Sequence, residues 1–222
     1  VQGPPRLQLV PLSLRCRPPE ARRMADSGPD GTVVRLGGEA DRWLAGSREL
    51  SFPGLPRPIR VKQDWKAIGG TGGAISDAGE ALARWLCSEA GAEVVAALHG
   101  AVVLELGCGL GLISAVVALL GASRVIASDM EETVLACVPE TAASAGAADG
   151  CILPWRYSWG DPLHLPPEVE PGSCSFVIGS DILYNPERQP PLAETLRQAF
   201  ASNRECRALL AWVDRQAEEM EF

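Results

Sequence analysis

The chain has 222 residues, 46% of them apolar, a length and composition that suit one globular domain with a substantial core. Its net charge of −8 is uneven: residues 1–23 carry five arginines against Glu20, a net +4, which leaves −12 on the rest and argues against a nucleic-acid-binding body. No apolar run reaches the roughly 18 to 20 residues that span a bilayer, and seven scattered cysteines with only His99 and His164 fit neither a disulfide frame nor a zinc site.

Residues 1–31 read as a basic, Pro-rich leader outside the fold. Met24-Ala-Asp-Ser has the look of a natural start, so a disordered tail or a stretch translated upstream fits better than a transit peptide, which would be richer in serine. Thr32 to Leu36 and Ile59 to Gln63 are short β-type runs that predict an N-terminal hairpin or edge. A loop is expected at Gly69-Gly-Thr-Gly-Gly73. Asp77-Ala-Gly-Glu80 has capping-box spacing with Asp77 as N-cap, Leu82, Trp85 and Leu86 supply a helical stripe, and Gly91 reads as the stop.

The most informative stretch follows. Ala101 to Leu106 is an apolar strand that breaks into Gly107-Cys-Gly-Leu-Gly111. Leu110 to Leu120 is the next helix, and Arg124 to Ser128 a strand that ends in Asp129. Strand, glycine turn, helix, strand and acid make half of a nucleotide-binding α/β unit. A dinucleotide fingerprint needs Gly-x-Gly-x-x-Gly, and Leu112 stands where its third glycine would be. Glu131 to Ala145 predicts a helix weakened or kinked by Pro139. Cys151 to Trp155, Ser175 to Gly179 and Arg207 to Val213 are further strands, with a helix at Pro190 to Ala201. The alternation predicts a doubly wound, mostly parallel α/β sheet.

Chemistry collects after the strands. Gly107 and Gly109 allow close backbone approach to a ligand, and the helix behind them offers free N–H groups to a carboxylate. Asp129 is placed to accept from ribose hydroxyls. Glu105 would tie the first strand to the glycine loop or meet a ligand ammonium. Trp159 follows the third strand, where an indole can pack on a base. Ser180-Asp-Ile-Leu-Tyr184 follows the fourth, facing the crevice.

Gln63-Asp-Trp-Lys, Asp77-Ala-Gly, Glu105-Leu-Gly-Cys-Gly-Leu-Gly, Ser128-Asp129, Trp159-Gly160 and Ser180-Asp-Ile-Leu-Tyr184 together resemble the seven-β-strand protein-lysine methyltransferases. The resemblance covers roughly residues 59 to 216. It implies a class I, Rossmann-like fold over residues 32–222 and S-adenosylmethionine as cofactor. The acceptor would be a lysine of a chaperone or translation-type protein, with no nucleic acid or membrane involved. The implied location is cytoplasmic, with the nucleus as a second compartment. Carried over by position, Gly107, Cys108 and Gly109 would contact the cofactor, Asp129 its ribose, and Trp159 and Ser180 its adenine and methionine ends. Asp181 and Tyr184 would orient the substrate amine. Ser76 stands where the family has a cofactor-lining Trp, and Thr141 where it has an Asn. The family sheet also continues past the strand at 207–213, so here that strand is expected to be an exposed apolar edge. The alternative reading is a degenerate methyltransferase that binds a protein partner without catalysis.

Overall fold

The computed structural model describes residues 7–11, 45–64 and 71–212. Six strands form one parallel sheet: β1 (Leu7–Pro11), β4 (Val102–Leu106), β5 (Arg124–Asp129), β6 (Ile152–Arg156), β7 (Cys174–Ser180) and β8 (Arg207–Trp212), in the order β1-β8-β7-β4-β5-β6. A separate antiparallel hairpin joins β2 (Ser47–Leu50) to β3 (Ile59–Lys62). The helices are α1 (Asp77–Leu86), α2 (Ala92–Leu98), α3 (Leu112–Leu119), α4 (Glu132–Leu135), α5 (Val138–Ala145) and α6 (Gln189–Ser202).

The central strands are apolar on both faces, as a parallel sheet between two helical layers requires. Along β4, Val103 faces the cluster that holds Leu82 of α1 and Ile113 and Val116 of α3. Leu104 and Leu106 face the opposite cluster, with Leu192 and Ala199 of α6. The side-chain period of two thus sends alternate residues of one strand into two cores. From β4 the chain winds through β5 to β6, then returns to β7 on the other side of β4. That reversal opens a crevice at the carboxyl ends of β4 and β7, where such sheets take their ligands.

The structure departs from expectation in five places. The partner of β3 is Ser47–Leu50, and the expected strand at Thr32 to Leu36 lies outside the described residues. The leader expected to stand outside the fold contributes β1, which pairs with β8 and covers the edge that was expected to be open. A second helix, α2, intervenes between α1 and β4, beyond the stop expected at Gly91. The expected helix at 131–145 is two helices, α4 and α5. Pro139 sits in the first turn of α5, where its missing N–H costs nothing, so it starts a helix rather than bending one. The N-cap of α1 is Ser76, not Asp77: its Oγ accepts from the Gly79 N–H at 3.0 Å, and Asp77 becomes the first helical residue.

Candidate cofactor site

The crevice is a cavity of about 940 Å³ at the upper end of the range for small-molecule sites. Ser76, Glu105, Gly107, Cys108, Gly109, Asp129, Trp159, Ser180, Asp181 and Tyr184 all line it, so the fold brings every site residue expected from sequence to one place. Sequence reasoning missed Ile182, Asn185 and Arg188, which line it too. Ile182 lies inside a motif that sequence reasoning did single out, but its apolar side chain reads as ordinary core. Of the Gln63-Asp-Trp-Lys stretch, Gln63 and Asp64 are described. Gln63 is buried, with its Oε1 accepting from the Ile75 N–H at 3.0 Å and its Nε2 donating to the Ala45 carbonyl.

The glycine loop is built by backbone conformation. Gly107, Gly109 and Gly111 have φ of +67°, +51° and +81°, values that cost any side-chain-bearing residue strain. A Cβ on Gly107 would also lie 2.9 Å from Ile182 Cγ2 and 3.4 Å from Trp159 Cζ2. The loop is tied to β5 by the Cys108 N–H, which donates to the Ser128 carbonyl, and by Ser128 Oγ, which donates to the Glu105 carbonyl at 2.6 Å.

Two acids face this loop. Glu105 is buried and accepts a short hydrogen bond from Ser114 Oγ of α3. Burial, with a smaller push from the Asp129 charge, raises its carboxyl to about 8 against the Ser114 bond. Asp129 accepts from the Gly109 N–H at 3.1 Å through Oδ2 and from the Glu131 N–H at 3.2 Å through Oδ1. Its carboxyl is also raised, by burial above all, although these backbone donors pull it down. Burial above all, and then the two acids, push the Cys108 thiol well above its ordinary range. Neither acid has a cationic side-chain partner among the described residues. Two desolvated acids without a cation make a place where a positively charged ligand would favour their ionised forms.

The other wall comes from β7 and α1. Asp181 is the sole non-glycine among the described residues with a positive φ, +56°, and its N–H donates to the Ala211 carbonyl at 2.8 Å. Gly79 lets α1 come close: a Cβ there would lie 3.1 Å from Ser76 Oγ and 3.4 Å from Ser180 Oγ. Glu80 fixes the helix to the hairpin, accepting from Arg48 at 2.5 Å and from Arg84 at 2.7 Å. Partial burial pushes its carboxyl up, but the two guanidinium groups prevail and hold it below its ordinary value. Behind Trp159, the Gly160 N–H donates to Thr195 Oγ1 at 3.0 Å, which anchors that loop on α6. Tyr184 stands at the mouth, 57% exposed.

These features define a Rossmann-like α/β protein with an acid-lined crevice at its topological switch point. A family model described as lysine methyltransferase matches residues 55–222, and the chain belongs to that family. Its cofactor is S-adenosylmethionine, and the residues present fit it: a glycine cradle that a Cβ would fill, the acid Asp129 at the end of β5 bonded to that cradle, and the buried acid Glu105.

Among its relatives, the protein N-lysine methyltransferase METTL21A of Danio rerio is 36% identical over 141 residues, covering 62% of this chain and 59% of that protein. The Mus musculus METTL21A is 28% identical over 151 residues, covering 65% and 62%. The protein N-terminal and lysine N-methyltransferase efm7 of Aspergillus fumigatus is 30% identical over 129 residues, covering 54% and 49%. The chain spans about three-fifths of the length of the METTL21A relatives it matches. Among solved structures, an S-adenosylmethionine dependent methyltransferase from Mesorhizobium loti aligns with a TM-score of 0.40 and 27% identity, covering 56% of this chain and 48% of that one. The magnesium protoporphyrin IX methyltransferase of Synechocystis aligns with 0.41 and 21%, covering 56% and 49%.

Proposed function

We propose that the chain is an S-adenosylmethionine-dependent protein-lysine N-methyltransferase working in this crevice. The observation that carries the reading is the meeting, in one cavity, of the glycine cradle, the uncompensated acids Glu105 and Asp129, and the Asp181–Tyr184 wall. S-adenosylmethionine supplies an electrophilic methyl on a sulfonium when bound. Asp129 would accept from the ribose hydroxyls, exchanging its bond from Gly109, and Glu105 would face the ligand ammonium. Trp159 offers its indole to the base.

Methyl transfer to an amine is an in-line displacement that needs positioning and an unprotonated nitrogen. A lysine with a pKa near 10.4 is almost wholly protonated at pH 7, and a carboxylate beside it holds the proton on more tightly. Asp181 and Tyr184 are therefore orienting groups, and the proton leaves to solvent, a loss that desolvation of the amine favours. The acceptor class is a protein lysine, as the names of the relatives suggest for them; chaperones and translation factors are the first candidates to screen.

Calorimetric titration of the full chain with S-adenosylmethionine and S-adenosylhomocysteine tests the cofactor half of the reading. Micromolar binding is expected, with Asp129→Ala weaker by about 10- to 100-fold, the equivalent of one or two charge-assisted hydrogen bonds. Absence of binding to a folded sample sinks the proposal. A radiolabelled-methyl screen with protein acceptors tests the other half.

A further inference from the structure

The loop after β7 returns onto its own strand. Ile182, buried at 4% exposure, lies over Gly179 so closely that a Cβ there would stand 2.4 Å from its Cδ1. The φ of Gly179 is not in the left-handed region, so backbone conformation gives no reason for a glycine at that place. Space does. On its other side Ile182 meets Gly107, where an added Cβ would stand 2.9 Å from its Cγ2. One side chain is thus caught between the glycine of the cofactor loop and a glycine of the neighbouring strand. The turn that brings it there runs through Asp181, held at φ +56° by its bond to Ala211.

We propose that Ile182 is a positioning residue, a wedge seated between Gly107 and Gly179 that fixes both the glycine loop and the Ser180–Asp181 wall of the crevice. Its part in ligand binding rests on the cofactor reading above; its hold on Asp181 does not. A left-handed non-glycine residue persists only where its surroundings over-determine it. Here the wedge and the Ala211 carbonyl do so from two sides. Ile182 is packed closely against both glycines, so displacing it is expected to move Gly107 and Asp181 together.

The test uses Gly179→Ala, whose new methyl would stand 2.4 Å from Ile182 Cδ1 and 3.3 Å from Ile182 Cγ1 and Leu210 Cδ2, and Gly179→Ala/Ile182→Val, in which the severe collision is gone and the β-branch facing Gly107 is kept. Ile182→Leu is the third variant; it conserves volume and burial but removes the branch, so it answers even where Gly179→Ala does not fold. Two readouts are taken on the full chain: hydrogen-exchange protection of the Asp181 amide and calorimetric affinity for S-adenosylhomocysteine.

The expected result is loss of Asp181 protection and affinity weaker by about tenfold or more in Gly179→Ala and Ile182→Leu, with the double variant within about threefold of wild type. A merely structural core residue would lower the melting temperature while leaving the affinity of the folded protein unchanged. Unchanged affinity and protection in Ile182→Leu overturn the proposal, as does a double variant no better than Gly179→Ala. If the wild type binds no S-adenosylhomocysteine, the cofactor reading fails by itself, and the exchange arm still decides whether Ile182 holds Asp181.

Discussion

Glu105 carries the sharpest consequence at the scale of a single residue. In the unfolded chain its carboxyl titrates near the ordinary 4.5, whereas in the fold it keeps its proton up to about 8. Between those values the unfolded state sheds a proton that the native state retains, so stability falls as pH rises through this window and levels off above it. The slope from this one group is at most about 1.4 kcal/mol per pH unit. Glu105→Gln keeps an acceptor for Ser114 Oγ and removes the titration. In urea titrations of the ligand-free protein, it is expected to flatten the stability profile between pH 5 and 8, with the gain over wild type largest at the alkaline end. The same variant should bind S-adenosylmethionine about tenfold more weakly, because it lacks the carboxyl that a ligand ammonium would draw into its ionised form. A variant no less pH-sensitive than wild type would show that Glu105 is ionised in the native protein at neutral pH.

Among the elements, α1 transmits the hairpin's position to the crevice. Its N-cap Ser76 and the Arg48–Glu80 pair lie at the two ends of that link, and Glu80 is also bonded to Arg84. Ser76→Ala removes a cap worth about 1 kcal/mol and should lower stability by that amount in chemical denaturation. Arg48→Ala should loosen the hairpin against α1, seen as faster proteolysis at 51–58 with little change in the global unfolding midpoint. An unchanged cleavage rate would mean that the pair contributes nothing.

The core strands and the glycine loop were legible in sequence because apolar runs and left-handed glycines are local signals. Nine of the ten site residues named from sequence followed, since a parallel sheet sends the ends of its strands to one side; Ser76, at the start of α1, came from the resemblance alone. Ser76 was missed as a cap because serine and aspartate adjoin and both cap well. Pro139 reads in sequence as weakening or kinking one helix because the break at Ala136–Cys137 has no local marker. Ile182 against Gly179 was invisible for a different reason. A tight contact made by a backbone turn is a fact of three dimensions, and in the sequence Ile182 is one more apolar residue.

For the whole molecule the decisive feature is the edge of the sheet. β8 pairs with β7 on one side and with β1 on the other, in a register running from Leu7 opposite Ala208 to Pro11 opposite Trp212. Ala208, Leu209, Leu210 and Ala211 are buried, and without β1 their strand would present its open backbone groups to solvent. The energy of β1 itself is nearly balanced. Each ladder bond contributes about 0.5–1.5 kcal/mol, Pro11 has no N–H to donate, and ordering each residue costs about 1–2 kcal/mol. Removing residues 1–23 should therefore change the melting temperature little. Its effect belongs to association, since an uncovered apolar edge strand is a template for another chain. Sedimentation velocity across a wide concentration range is expected to show the 24–222 chain self-associating at concentrations where the full chain does not. Identical sedimentation of the two would mean that β1 does not protect the edge in solution, and that the acidic charge of the body, −12 outside residues 1–23, suffices to keep copies apart.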